Sequence, residues 1–188
     1  MMNKIRPLIL AVSAVAAALL AYGLFTLPRP QGPDAEGFSS ARVVKDIEKI
    51  SQAPHSVAQP QERAAVREYL ISRLHELGAD TVRLFSYDSL VGPKNKHVVY
   101  TFDAHNILAD FAPEHESADS AARLMFVAHY DSRYSHLFAR DTVWSCGAAD
   151  DGYGVGVILE TVSQLLKERS QWNQGVSVLF TDAEEPGM

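Results

Sequence analysis

Leu8 to Leu27 form an unbroken run without a single charge. As a helix rising 1.5 Å per residue, such a run covers the roughly 30 Å hydrocarbon core of a bilayer. The chain therefore starts, over residues 1–27, with a segment that reads as a transmembrane helix. Lys4 and Arg6 stand just before it, and the positive-inside rule places the N-terminus in the cytoplasm and the rest of the chain on the periplasmic or lumenal side. A cleaved signal peptide is the competing reading, because Ala16-Ala17-Ala18 offers a small-x-small site. Cleavage there would leave Leu19 to Leu27 as an apolar stump, so the length favours an uncleaved signal anchor. Both readings export the rest of the chain.

The remaining length holds one globular domain at most. Of 188 residues, 47% are apolar and 21% charged, a balance that folds and is not that of a disordered polymer. The single cysteine, Cys146, excludes an intrachain disulfide and a thiolate metal cluster. Any metal must be held by His and carboxylate. Lys4 and Arg6 aside, 15 basic residues face 23 acidic ones. With no basic run to offset that balance, nucleic acid is excluded as a natural partner.

Residues 28–38 hold three prolines and two glycines and read as a semi-extended spacer that lifts the domain off the membrane. The domain itself is expected over 39–188. Ser39 or Ser40 can cap a helix whose Val43, Val44, Ile47 and Ile50 recur at helical steps. A second helix is expected over 61–77, with Ala65, Tyr69, Leu70, Leu74 and Leu77 on one stripe and Gly78 as its stop. Strands are expected over 80–87 and 96–108, and a polar turn or loop over 110–120. Leu124 to Ala128 and Val176 to Phe180 are continuous apolar runs, as in strands buried on both faces. A helix over about 154–167 lies between them. Strand, helix, strand in this order predicts an α/β domain with a crossover connection and a mixed, mainly parallel sheet flanked by helices.

Three polar clusters sit where these buried elements end or begin: His129-Tyr130-Asp131, Asp150-Asp151-Gly152, and Asp182-Ala183-Glu184-Glu185. Ligands in open α/β sheets bind beyond the carboxyl ends of the strands, so the clusters are placed to converge. His129 and Asp131 are two apart in extended backbone and point to one face, where Asp131 can orient the imidazole. By itself, His-x-Asp is no more than a hydrogen-bonded strand end. Asp150 and Asp151 are flanked by Gly147, Ala148, Ala149, Gly152 and Gly154, which let backbone approach a compact charge; a plain helix cap is the alternative. Glu184 and Glu185 repel each other at the edge of a core unless a cation or shared proton offsets the cost. One carboxylate on a metal and another free to take a proton from water is what a hydrolytic site requires. Together the clusters point to a metal centre.

VAHYDSRY (127–134), GAADDGYGV (147–155) and LFTDAEEPGM (179–188), in this order and spacing, resemble the co-catalytic zinc aminopeptidases and related exopeptidases, including glutamate carboxypeptidase and transferrin-receptor-like proteins. Residues 38–78 resemble the lead-in of the membrane-anchored branch similar to endoplasmic reticulum metallopeptidases. The resemblance covers about residues 38–188. It implies His129 as a ligand of one zinc with Asp131 its supporting acid, Asp150 as the carboxylate bridging two zincs, and Asp151 as a neighbour in support. It also implies Glu184 as general base and Glu185 as ligand of the second zinc. The implied partner is a peptide substrate, cut near a free terminus.

The family also draws an Asp and a His ligand from sequence beyond the Glu-Glu motif, whereas this chain stops three residues past Glu185. The resemblance therefore implies a zinc-peptidase domain incomplete at its C-terminus, with an exposed sheet edge and no activity alone. Two alternatives stand beside the peptidase: a non-catalytic, membrane-anchored interaction domain of the same fold, and a single-zinc cyclising or acyl-transfer enzyme. Tyr22 fits an interfacial belt, Trp144 the cleft near Asp150, and Cys146 a small position in that turn. His55, His75, His97, His105, His115 and His136 show no ligand spacing and read as surface or core histidines; His136 is the nearest of them to the site in sequence.

Overall fold

The computed structural model describes residues 2–26, 29–91, 101–115, 122–137 and 141–186. The chain divides into two compact units, Met1–Pro30 and Gln31–Met188. The first is helix α1, Met2–Thr26, within which Ile9–Thr26 is long and apolar enough to cross a membrane.

The second unit opens with residues that are held at many points. Arg42 donates to the carbonyls of Pro33, Ala35 and Gly37, and the Ser39 hydroxyl donates to the Gly32 carbonyl. Residues 31–37 thus lie folded against the start of helix α2 (Ser40–Ile50), where Ser39 is the N-cap and accepts from the Arg42 amide. Helix α3 (Pro60–Glu76) begins with proline at its first position and ends at Gly78, whose φ of +84° lets the Gly78 and Ala79 amides return to the His75 and Leu74 carbonyls. Its buried stripe is Arg63, Val66, Leu70 and Leu74. Leu70 and Leu74 were expected there, whereas the buried arginine lies outside the expected stripe.

Strands β1 (Thr81–Val91) and β2 (Thr101–Phe111) pair antiparallel, with a register break between Tyr87 and Leu90. Strand β3 (Arg123–His129), the short hairpin β4 (Tyr134–Leu137) and β5 (Asp141–Trp144), helix α4 (Gly152–Leu165), a 3-10 turn (Leu166–Gln171) and strand β6 (Gly175–Thr181) complete the order. The main sheet runs β1-β2-β6-β3, antiparallel except for the β3–β6 pair. The α/β class and the mixed sheet are as expected, but the sheet is not mainly parallel: among the described strands the crossover through α4 joins the one parallel pair, and β1 and β2, adjacent in sequence, add antiparallel.

Ile107, Ala109, Phe111, Val176, Val178, Phe180 and Ala128 share one sheet face, against which Leu70 and Leu74 of α3 and Val155, Leu159 and Val162 of α4 close the core. β6 is buried, as its apolar run predicts. β3 is not: Leu124, Met125 and Val127 are 47%, 51% and 56% exposed. It is the sheet's edge among the described strands, and helices cover only one of its faces, which an apolar run alone does not reveal. The turn expected from residue 110 is also corrected. Asp110 and Phe111 belong to β2, and the buried Asp110 carboxylate accepts from the Ser177 hydroxyl at 2.6 Å and from Arg83 at 2.6 Å. Polar composition read as loop because these partners are distant in sequence. Val98 and Tyr100 lie outside the described residues.

Candidate metal centre

β3 and β6 run parallel, so His129 and Thr181 are register partners at their common C-terminal end. The chain leaves β3 through Tyr130, whose amide donates to the Thr181 carbonyl at 2.9 Å, and then enters the buried pair Asp131 and Ser132. His129 Nδ1 lies 3.1 Å from the Asp131 carbonyl oxygen and 3.4 Å from its carboxylate. On the other side of the ring, Nε2 lies 3.1 Å from Asp150 Oδ1 and 3.9 Å from Glu184 Oε2. Each cluster thus supplies one group to a common spot. The bond to Asp131, with further support from Asp150 and Glu184, pushes the imidazole up to about 9.

Asp131 does more than hold the ring. Its two carboxylate oxygens accept the backbone amides of Glu184 and Glu185 at 3.0 and 3.2 Å, so one buried acid fixes both the imidazole and the turn after β6. Glu184 is largely exposed at the site's mouth. Glu185 is tucked in. One of its oxygens, Oε1, is buried without a hydrogen-bond partner, and Oε2 is 3.8 Å from Arg133 Nε. Burial, followed by the Asp150 charge, pushes the Glu185 carboxyl up.

The loop before α4 is shaped by close backbone approach. The Gly152 amide donates to the Gly147 carbonyl at 2.8 Å, and a Cβ on Gly152 would stand 2.7 Å from that oxygen. Gly147 itself has φ +64°, open to glycine at little cost. The Asp150-Asp151 peptide is cis. Asp151 caps α4 by accepting the Gly154 amide at 3.0 Å, leaving Asp150 free to face His129. Of the two aspartates, Asp151 is thus the helix cap and Asp150 the one that faces His129.

The structure therefore brings His129, Asp150 and Glu184 together and places Glu185 on the same turn. Among the described residues, no three His, Cys, Asp or Glu side chains already stand at ion-holding separation. His55, read as an ordinary histidine, is a buried post under the site. Its amide donates to Ser132 Oγ at 2.8 Å, its Nδ1 is 2.8 Å from the Ala53 carbonyl, and burial lowers its pKa. No spacing signal marked it. His75 and His115 are exposed and His105 is part-buried. His97 lies outside the described residues, as do the side chains of His136 and Trp144.

Residues 106–188 match peptidase family M28. All three motifs lie within the matched residues, and the resemblance read from them stands. The chain is 30% identical over 172 residues to the vacuolar membrane protease of Coprinopsis cinerea, covering 85% of this chain. It spans only 16% of that relative's length. In fold it is similar to Porphyromonas gingivalis glutaminyl cyclase (TM-score 0.66, 24% identity, 82% of this chain and 51% of that one). It is also similar to a leucine aminopeptidase precursor from Bacteroides thetaiotaomicron (TM-score 0.62, 22% identity, 82% and 50%).

Proposed function

We propose that this M28 domain serves a membrane-anchored, zinc-dependent exopeptidase that hydrolyses peptide bonds near a free terminus, with α1 as anchor and the domain on the periplasmic or lumenal side. One observation carries the reading: His129 Nε2 faces both Asp150 and Glu184 within 4 Å at the carboxyl ends of the parallel strands.

The residues present suit a divalent cation. A buried carboxylate oxygen on Glu185 has no hydrogen-bond partner, and the Asp131, Asp150 and Glu184 carboxylates lie within 4 Å of the His129 ring. His129, Asp150 and Glu185 would hold zinc. Zinc bound there supplies a Lewis acid that polarises the scissile carbonyl and eases deprotonation of water. Glu184, exposed and next to His129, takes the proton of the attacking water on its carboxylate and passes it to the leaving amine. Asp131 keeps the imidazole and the Glu184–Glu185 turn in register, so neither must reorganise during the reaction.

The test uses the complete gene product. Two zincs per chain and hydrolysis of aminoacyl-anilides are expected, with Glu184→Gln keeping its zinc and losing about 10²–10⁴-fold in kcat. His129→Ala should lose zinc. One zinc would favour a cyclising enzyme, and none an interaction domain. Full activity in Glu184→Gln would end the peptidase mechanism. Protease added outside sealed vesicles or spheroplasts reports the side on which the domain lies.

A further inference from the structure

Directly behind the Glu184–Glu185 turn lies an ion pair that the chemistry above does not use. Arg63, on the buried stripe of α3, is 3% exposed. Its Nη1 lies 3.2 Å from Asp182 Oδ1, its Nη2 donates to the Asp103 carbonyl of β2 at 2.7 Å, and its Nε has no partner. Asp182 is equally enclosed. Its other oxygen accepts the His105 amide at 2.9 Å, and its own amide donates to Asn106 Oδ1 at 2.8 Å.

Stability does not account for this pair. Val66, Leu70 and Leu74 on the same stripe are apolar, and an apolar side chain at 63 facing an apolar one at 182 avoids the desolvation of two charges. What the pair does is fix a point in space. Asp182 is the first residue after β6. Ala183 follows, fully buried at φ +62°, a left-handed backbone that a non-glycine residue adopts only under constraint. The chain then reverses so that the Glu184 and Glu185 amides meet the carboxylate of Asp131. The turn is thus pinned at its entry by Asp182 and at its exit by Asp131.

We propose that Arg63 is a positioning residue for the two glutamates, acting through Asp182. This rests on the metallopeptidase reading for its functional meaning, though the mechanical claim does not depend on metal. Arg63 anchors Asp182 to α3 and β2 at once, and that anchorage holds Ala183 in its turn and presents Glu184 and Glu185 to His129. Without it, the entry to the turn loses its tie to α3 and keeps only the bonds of Asp182 to His105 and Asn106 of β2.

The test is native-state amide exchange on the full chain in detergent micelles, without metal. The exchange rates of the Glu184 and Glu185 amides are read against those of Val178 and Phe180 in the adjoining strand. In Arg63→Met the two glutamate amides should exchange at least about tenfold faster, with the strand amides unchanged, and Arg63→Lys should recover part of the protection. Should Arg63→Met fail to fold, the double variant Arg63→Met/Asp182→Asn leaves no lone charge and keeps an acceptor for His105; the same selective loss is expected. Wild-type protection of the turn in that double variant, or an equal loss across turn and strand, would overturn the proposal. A failure of zinc binding alone would not touch it.

Discussion

Gly147 is confined both by its backbone conformation and by its neighbours. A Cβ there would stand 3.0 Å from the Ser132 Cβ and 3.3 Å from His55 Cε1, in a backbone with φ +64°. Gly147→Ala therefore meets both a conformational and a steric penalty, and should destabilise the fold by about 1–3 kcal/mol, seen as a lower urea midpoint at an unchanged slope. An unchanged midpoint would show that the loop relaxes freely. At this scale the sequence spoke clearly where charge was out of place. Asp150 stood among small residues and Glu184 beside Glu185, and neither pattern is easily accounted for by a solvated surface. Arg63 and His55 stayed silent for a physical reason. A buried charge on a helix looks like any polar-face residue until its partner, here 119 residues away, is known, and a structural histidine has no spacing to betray it.

Among the elements, α2 and α4 are tied by the Arg42–Glu160 pair. Arg42 Nε and Nη2 donate to the two Glu160 oxygens at 2.9 and 2.6 Å, and the Ser39 amide adds a bond at 2.9 Å. Burial alone would raise the Glu160 carboxyl; the Arg42 hydrogen bond and the Ser39 amide outweigh it, and the group is held below its ordinary value of 4.5. A carboxyl depressed in the folded state contributes stability above its unfolded pKa, and that contribution vanishes as pH falls through the folded one. Glu160→Gln should therefore cost about 1–3 kcal/mol near neutrality. The gap in Tm from wild type should narrow steadily as pH is taken below 4.5. A gap that stays constant into the acid range would assign the loss to packing. Helix starts, stops and the two apolar strands were legible because caps, glycines and periodicity are local. The exposure of β3 was not, since its place at the edge, beside β6 and away from β2, follows from pairings made across the whole domain.

For the domain as a whole, the helices cover one face of the sheet and leave the other open among the described residues. On that open face Val127, Leu179 and Leu108 are register partners across three strands, with Met125 on the next rung. Phe85 and Tyr87 of β1 lie on the same side, 41% and 48% exposed. An apolar rung reaching an unpaired edge strand offers both buried area and free backbone groups to a second molecule. The domain 31–188 should therefore self-associate in a concentration-dependent way, visible by sedimentation velocity as a mass above that of one chain at tens of micromolar. Met125→Lys with Val127→Glu puts charge on the exposed rungs without touching Ala128 or Phe126, which face the core. That variant should sediment as a monomer with an unchanged circular dichroism spectrum. If the wild-type domain stays monomeric across the whole concentration range, the open face is shielded by its own polar neighbours, Asp110, Ser177 and Thr181, and the edge is no more adhesive than an ordinary surface.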